Sequence, residues 1–245
     1  MNNNIYSKMN VQKIADKIIE TEMAYLKTDL TSLSFEEKCR LLLRNNSTYH
    51  PLFRQLDLSD IAREISPELT RRAESGEAFS LYCMSATFGY DLPRTDTRLS
   101  YLERAMKAGS MDARVQYASR FSGENERDTA RALLEETLDL YSLGDITDED
   151  KENLFRCYDM LSVCGQTSED RAYYSRLADS LALALVLNGS FYGLSHLCVS
   201  DNNTDESKEF WKKVAYIVRS YFYERGATQF EDILKAYKKK RSELN

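Results

Sequence analysis

The sequence predicts an all-α protein. Apolar residues recur at intervals of three and four along nearly every segment, which is the period of a helix and not of a strand. The 245 residues include only 9 Gly and 3 Pro, well below the roughly 17 and 12 that average usage of about 7% and 5% would give. The hydrophobic content of 42% is enough to bury a full core as one large domain or two small ones.

Helix starts are marked by residues that cap the first turn. The sequences SFEE at 34–37 and TQFE at 228–231 are capping boxes, in which a hydroxyl and a carboxylate each accept a backbone N–H of the other residue. Pro67 fits a first helical turn, where its missing N–H costs nothing. Thr147 and Ser168 precede acidic first turns, which the helix dipole favours.

Helix ends are marked by glycine, because a left-handed C-terminal cap favours a residue without Cβ. The glycines that follow periodic runs are Gly76, Gly109, Gly144, Gly165, Gly189 and Gly226. Together the starts and ends predict helices over residues 10–27, 34–45, 58–75, 77–89, 96–108, 110–122, 127–142, 148–164, 169–188, 190–199, 205–225 and 229–243.

Weak internal repetition accompanies these helices. Residues 101–108 align with 133–140, with apolar or small residues at matching positions, and the helices before them also correspond. The repeating unit is about 32 to 35 residues long, which is the length of a helical hairpin repeat.

Residues 101–123, YLERAMKAGSMDARVQYASRFSG, resemble a sel-one-like repeat, a relative of the tetratricopeptide repeat. The matching positions are Leu102, Ala105, Gly109, Ala113, Tyr117, Phe121 and Gly123. In such a hairpin the two alanines let the helices approach closely, and Gly109 turns the chain between them. The resemblance covers residues 66–145 best. Residues 133–140 and those beyond Gly144 depart from the pattern, and the family's glycine-rich loop between hairpins is missing.

The resemblance implies a short α-solenoid of stacked antiparallel hairpins. An N-terminal helical cap would span residues 1–65, a repeat-like array 66–200 and a C-terminal helical hairpin cap 201–245, all within one continuous domain. An irregular helical bundle with one similar hairpin is the alternative. The family implies a non-enzymatic scaffold, adaptor or inhibitor that holds a partner protein or peptide on the concave face of the array.

The face opposite the Ala113–Tyr117 seam is rich in Met, Val and small residues, which could form a shallow groove for a helix or an extended segment. The predicted protein-binding residues on this face are Ser80, Met84, Thr87, Met111, Val115 and Ser119. Packing against a neighbouring helix of the same chain is the competing interpretation.

Two tyrosines of the helix at 205–225 complete the predicted binding set. Trp211, Val214 and Val218 recur at three and four and predict a core stripe on this helix. Tyr216 and Tyr223 then face elsewhere, and tyrosine is a good amphipathic anchor at protein interfaces.

Charge favours a protein as the partner. The chain has 33 Lys+Arg against 39 Asp+Glu, a net charge of −6, so it lacks the overall positive charge of duplex-binding proteins. The basic segment 235–241 keeps a nucleic-acid-associated factor open as an alternative. A small-molecule substrate is less favoured than a protein, and no membrane partner is predicted because no run of 18 apolar residues occurs.

Catalytic and metal-binding motifs are not found in the sequence. His50 and His196 have no nucleophile or metal spacing, and Cys157 and Cys164 are more typical of core thiols than of ligands. The acidic segment 145–152 lacks the glycine and the closing glutamate of a calcium loop. We therefore predict no catalytic residue, no metal and no cofactor, with an enzyme lacking any known motif as the remaining alternative.

Cysteine usage and the first residues predict a cytoplasmic location. Five cysteines lie in apolar helical patterns, which suits reduced and buried thiols better than disulfides. The first nineteen residues contain no apolar run of seven or more, so we expect no secretory signal.

Overall fold

A computed structural model describes residues 9–27, 29–46, 57–87, 90–93, 95–121, 126–142 and 147–223. Within these ranges the chain forms eleven α-helices and no strand. The prediction of an all-α protein is confirmed. No helix in these ranges is long and apolar enough to cross a membrane.

The helices are α1 (Val11–Lys27), α2 (Phe35–Asn46), α3 (Ser59–Glu74), α4 (Ala78–Ala86), α5 (Arg98–Lys107), α6 (Met111–Ala118), α7 (Arg127–Ser142), α8 (Asp148–Cys164), α9 (Ser168–Leu187), α10 (Leu194–Val199) and α11 (Asp205–Tyr221). Their bounds lie within about four residues of the predicted ones, which is the usual precision of such predictions. The predicted helix 229–243 lies outside the described residues.

Two compact units make up the chain. The first comprises Met1–Ile65 and Leu183–Asn245, and the second comprises Ser66–Ala182. In the first unit α11 packs against α1 and α10. Ile18 of α1 and Trp211 of α11 are both fully buried, because each lies on the apolar stripe that its helix turns toward the core.

Ion pairs tie α2 to other helices of the first unit. The Nζ of the buried Lys38 lies 2.7 Å from Oε1 of Glu64, and Nη1 of Arg44 lies 3.3 Å from Oε2 of the buried Glu22. Near α9, Nζ of Lys17 donates to the carbonyl oxygen of Leu187. These contacts satisfy charged groups that burial would otherwise destabilise.

The second unit is built from helices that pack against their sequence neighbours. The contacts run α4 to α5, α5 to α6, α6 to α7 and α7 to α8, and α6 also touches α8. Ala105 of α5 and Ala113 of α6 are fully buried, as the predicted seam requires. One core cluster joins α6, α7 and α8 and includes Val115, Leu134 and Leu161.

The predicted capping box at 34–37 is confirmed, and the predicted helix start at Thr147 has a capping box as well. The backbone N–H of Ser34 donates to Oε2 of Glu37 at 2.7 Å, and the N–H of Glu37 returns a hydrogen bond to Oγ of Ser34. Thr147 starts α8 with a full capping box. The cap before α9 is Thr167 and not Ser168, since the N–H of residue 170 donates to the Thr167 hydroxyl. The box at 228–231 lies outside the described residues.

Glycine caps are confirmed at three of the described positions. Gly76, Gly109 and Gly189 have φ values of 88°, 96° and 92°, in the left-handed region that favours glycine. The prediction is wrong for Gly165, whose φ is −55°. Its carbonyl oxygen accepts a hydrogen bond from Nη1 of Arg171. The predicted caps at 144 and 226 lie outside the described residues.

Pro67 lies inside α3 and not in a first turn. Proline removes one backbone donor from a helix interior and normally weakens it. Here buried apolar residues lie on both sides of the proline, Ile61 and Ile65 before it and Leu69 after it. Their burial on one helix face offsets the lost hydrogen bond, so the helix continues through Pro67.

Candidate interaction surface on helix α11

Four of the predicted groove residues are buried. Ser80, Met84, Thr87 and Val115 are all at most 1% exposed. The Ser80 hydroxyl donates to Glu77, and the Thr87 hydroxyl donates to the carbonyl oxygen of Cys83. The prediction that these residues bind a partner is wrong, because none of them reaches the surface of the folded chain.

The other two groove residues do not restore a groove. Met111 is half-buried and packs against the core cluster of α6, α7 and α8, whereas Ser119 is exposed at the end of α6. The physical reason is that α6 contacts α5, α7 and α8, so the face opposite the predicted seam is covered by further helices of the chain. The competing interpretation of that face, intramolecular packing, is the one the structure shows.

Tyr216 and Tyr223 are exposed. Their side chains keep 72% and 68% of their accessible surface, among the largest values for apolar or aromatic residues of the described chain. The opposite face of α11 carries buried Trp211, Val214 and Val218, as predicted. The helical rotation continues to fully buried Phe222, which leaves Tyr223 on the solvent side.

The exposed tyrosines alternate with cations along α11. Lys212, Lys213, Tyr216 and Arg219 of α11 are exposed, as is Tyr223, two residues past the end of the helix. Spacings of three and four residues place the four helical residues on one side of α11, and Tyr223 continues that spacing. We call these five residues the α11 stripe. Sequence reasoning singled out the two tyrosines but missed the three cations of the stripe, although the same helical period would have found them.

Charges of the α11 stripe are only partly compensated. Lys212 pairs with Glu209 at 2.7 Å, and this contact raises the pKa of Lys212 and lowers that of Glu209. Neither Lys213 nor Arg219 has an ion-pair partner among the residues that the structure describes. The stripe therefore offers at least two cations that could meet charges of another molecule.

Helix α10 lies beside the α11 stripe. Burial raises the pKa of the half-buried Cys198 thiol, and the positive charges of Arg219 and Lys212 oppose that rise. Helix α10, which carries Cys198, packs against α11. The next residue, Val199, is 67% exposed and adds apolar surface at the end of α10.

A second aromatic cluster lies in the other compact unit and was not predicted. The rings of Tyr158 and Tyr174 stack with centroids 6.2 Å apart, and Tyr173 meets Tyr174 edge to face at 5.4 Å. Tyr173 is 52% exposed. Sequence alone gives no signal for this cluster, since it depends on how α8 meets α9.

Metal-ligating side chains do not cluster in the described ranges. No group of three or more His, Cys, Asp or Glu residues there could hold a metal ion. Cys157 and Cys164 are buried free thiols, and burial raises the pKa of Cys157 to about 12. The described part of the acidic segment caps α8, where the Asp150 carboxylate accepts the N–H of Thr147 at 2.8 Å. His50 lies outside the described residues.

No family model, no curated protein and no solved structure matches the chain. The resemblance to a sel-one-like repeat therefore stays a prediction. The basic segment 235–241, on which the nucleic-acid alternative depends, lies outside the described residues and stays a prediction as well.

Proposed function

We propose that the protein is a non-enzymatic adaptor or inhibitor that binds another protein or peptide through the α11 stripe. The observation that carries this proposal is the exposure of Tyr216 and Tyr223 on the helix face that also holds Arg219. Tyrosine and arginine are the residue types most enriched where binding energy concentrates at protein interfaces. Here they replace the buried groove as the candidate contact surface.

Each tyrosine offers a large contact area at a small entropic cost. A tyrosine ring buries about 150–250 Å² when a partner covers it, and only two side-chain torsions must be fixed. At about 25 cal/mol per Å² of apolar area, two covered rings contribute several kcal/mol to binding. Because Tyr216 and Tyr223 are exposed in the folded chain, a partner that covers them gains this free energy.

The backbone beneath the stripe is held in place by packing. Trp211, Val214 and Val218 anchor the buried face of α11, and Thr204 caps its first turn by accepting the N–H of Ser207. A partner that binds the opposite face meets a helix that is already formed. Binding then costs little ordering of the backbone, which favours affinity.

We also keep the repeat array as part of the proposal. Support comes from the second unit, in which α4 to α8 each pack against the next helix and α6 also touches α8. Contacts between neighbours and next neighbours are what stacked hairpins produce. In this proposal the array serves as scaffold, and binding is assigned to α11 and not to the concave face.

Photo-crosslinking from two matched positions tests the proposal. Tyr216 is replaced by photoreactive p-benzoylphenylalanine in one variant, and Tyr173, the exposed tyrosine of the second unit, is replaced in the control. Both are irradiated in extract of the native host, and adducts are identified by mass spectrometry. We expect a discrete protein adduct from position 216 that is absent from position 173.

Substitution gives the second arm of this experiment. Tyr216→Ala combined with Tyr223→Ala should abolish capture of the crosslinked protein, whereas Tyr173→Ala should leave it unchanged. Both variants should keep the helical circular dichroism of the parent, since exposed substitutions rarely cost more than about 0.5 kcal/mol. Equal capture by the parent and the double variant would refute the assignment of the site to α11.

A further inference from the structure

The α11 stripe has a positive charge on a protein that is negative overall. Lys212, Lys213 and Arg219 lie on the stripe; Glu209 pairs with Lys212, and its charge also attracts Lys213. The whole chain has a net charge of −6. A local surplus of cations on an acidic protein steers oppositely charged molecules to that face.

The part of this chain that follows the stripe does not complement its charge. Residues 224–245 contain six basic and four acidic side chains, so this segment is itself positive. Charge complementarity therefore favours a different molecule as the occupant.

We propose that the α11 stripe binds an acidic segment of the partner protein, in which carboxylates alternate with apolar side chains. The proposal rests on the proposed function, because it names the chemistry of the partner at the same site. Lys213 and Arg219 lie six residues apart on α11, about 9 Å along the helix axis and about 120° apart around it, with Tyr216 between them. Carboxylates of the partner on either side of Tyr216 meet the two cations, and apolar side chains between those carboxylates cover the Tyr216 ring.

A peptide fits this surface better than a nucleic acid does. Affinity for a polyphosphate strand grows with the number of phosphates that lysine and arginine neutralise, and the stripe provides three cations at most. Carboxylates, in contrast, can be spaced to meet Lys213 and Arg219 while the residues between them supply apolar contact. Apolar side chains of the peptide that pack on the tyrosine rings add the free energy of burial described above.

Fluorescence anisotropy with defined probes tests the proposal. The probe is a fluorescein-labelled 14-residue peptide of glutamate and leucine, with glutamates at spacings of three and four. The first control is the same peptide with glutamine at every glutamate, and the second is a 14-nucleotide single strand of thymidine. At low salt we expect the glutamate peptide to bind at least tenfold more tightly than either control, and to weaken as salt rises.

Charge reversal on the protein identifies the site. Lys213→Glu combined with Arg219→Glu should weaken binding of the glutamate peptide at least tenfold. The matched control is Arg120→Glu combined with Arg176→Glu, which changes the net charge equally at exposed residues of the second unit. Binding by this control should stay within twofold of the parent. Equal weakening by both variants, or tighter binding of the thymidine strand, would overturn the proposal.

Failure of this proposal can be told apart from failure of the proposed function. If Tyr216→Ala with Tyr223→Ala abolishes capture of the native partner but Lys213→Glu with Arg219→Glu does not, α11 is the docking site and the acidic chemistry is wrong. If neither variant affects capture, both proposals are wrong.

Discussion

Replacing Val115 with glutamate should strongly destabilise the second unit at neutral pH. Val115 is fully buried in the core cluster formed by α6, α7 and α8, so the introduced carboxyl has no access to water. Burial raises the pKa of such a carboxyl well above its usual range. The group must then take up a proton when the chain folds.

The magnitude follows from this proton uptake. The ordinary pKa of glutamate is about 4.3, so protonation at pH 7 costs about 1.36 kcal/mol for each of roughly 2.7 pH units, or about 4 kcal/mol. An unsatisfied polar group in the core adds about 1–3 kcal/mol. The total of about 5–7 kcal/mol is comparable to the whole stability of many domains, which lies at about 5–15 kcal/mol.

Urea unfolding followed by circular dichroism at 222 nm measures this effect. Since burial raises the pKa of the introduced carboxyl in the folded state, the folded state binds more protons than the unfolded state, and stability increases as pH falls. Between pH 7 and pH 5 the variant should regain about 2.7 kcal/mol relative to the parent. This pH dependence separates a buried carboxyl from a simple loss of packing.

Two controls complete the experiment on Val115. Val115→Ala should cost about 1–2 kcal/mol with no dependence on pH, because it removes only methyl groups. Ser119→Glu places a carboxylate one turn later on the same helix at an exposed position and should cost no more than about 1 kcal/mol, through the helix dipole. If Val115→Glu were as mild as Ser119→Glu, the burial of this face of α6 would be refuted.

Three further predictions concern backbone, thiols and acid stability. Gly76→Ala should cost about 1–2 kcal/mol through its positive φ alone, since nothing lies near the position of an added Cβ. Gly189→Ala should cost more, because an added Cβ there would overlap the Thr21 hydroxyl oxygen; equal losses of stability in urea unfolding would contradict this. Among the native thiols, the half-buried Cys198 should react first with a thiol reagent. The buried Cys157 should react only on unfolding, because burial raises its pKa to about 12 and the thiolate is the reactive form. Mass spectrometry of labelled peptides measures the order of reaction. Hydrogen bonds from two arginines lower the pKa of Glu68 to about 2, so the contribution of Glu68 to stability is present above its ordinary pKa and is lost as pH falls toward 2. Glu68→Gln should therefore flatten the dependence of stability on pH over that range. An unchanged acid-unfolding curve would show that the arginine contacts are not retained in solution.

Local signals in the sequence identified the helices well. The capping boxes at Ser34 and Thr147 act within one helical turn, so the residues that decide them are adjacent in sequence. The left-handed glycines are equally local, since a positive φ is a property of one residue. The seam at Ala105 and Ala113 was also predictable, because a tight turn joins the two helices.

The groove could not be predicted correctly, because burial depends on non-local neighbours. An apolar face on α6 indicates that the face is covered, but not whether the cover is another helix or another protein. Val115 is covered by α7 and α8, which follow α6 in sequence but show no local sign of folding back onto it. The tyrosines of α11 were easier to assign, since the buried stripe of that helix fixes its opposite face.

The two compact units differ in how far apart in sequence their helices lie, and this bears on folding during synthesis. In the second unit the helices from α4 to α8 each meet the next one along the chain, so contact order is low and folding is fast once those helices have emerged. In the first unit α1 packs against α11, which is made much later. At about 5–20 residues per second, the ribosome needs roughly 10–35 s between the two helices. For that interval the apolar stripe of α1 lacks its final neighbour, which makes the nascent first unit a natural client for chaperones.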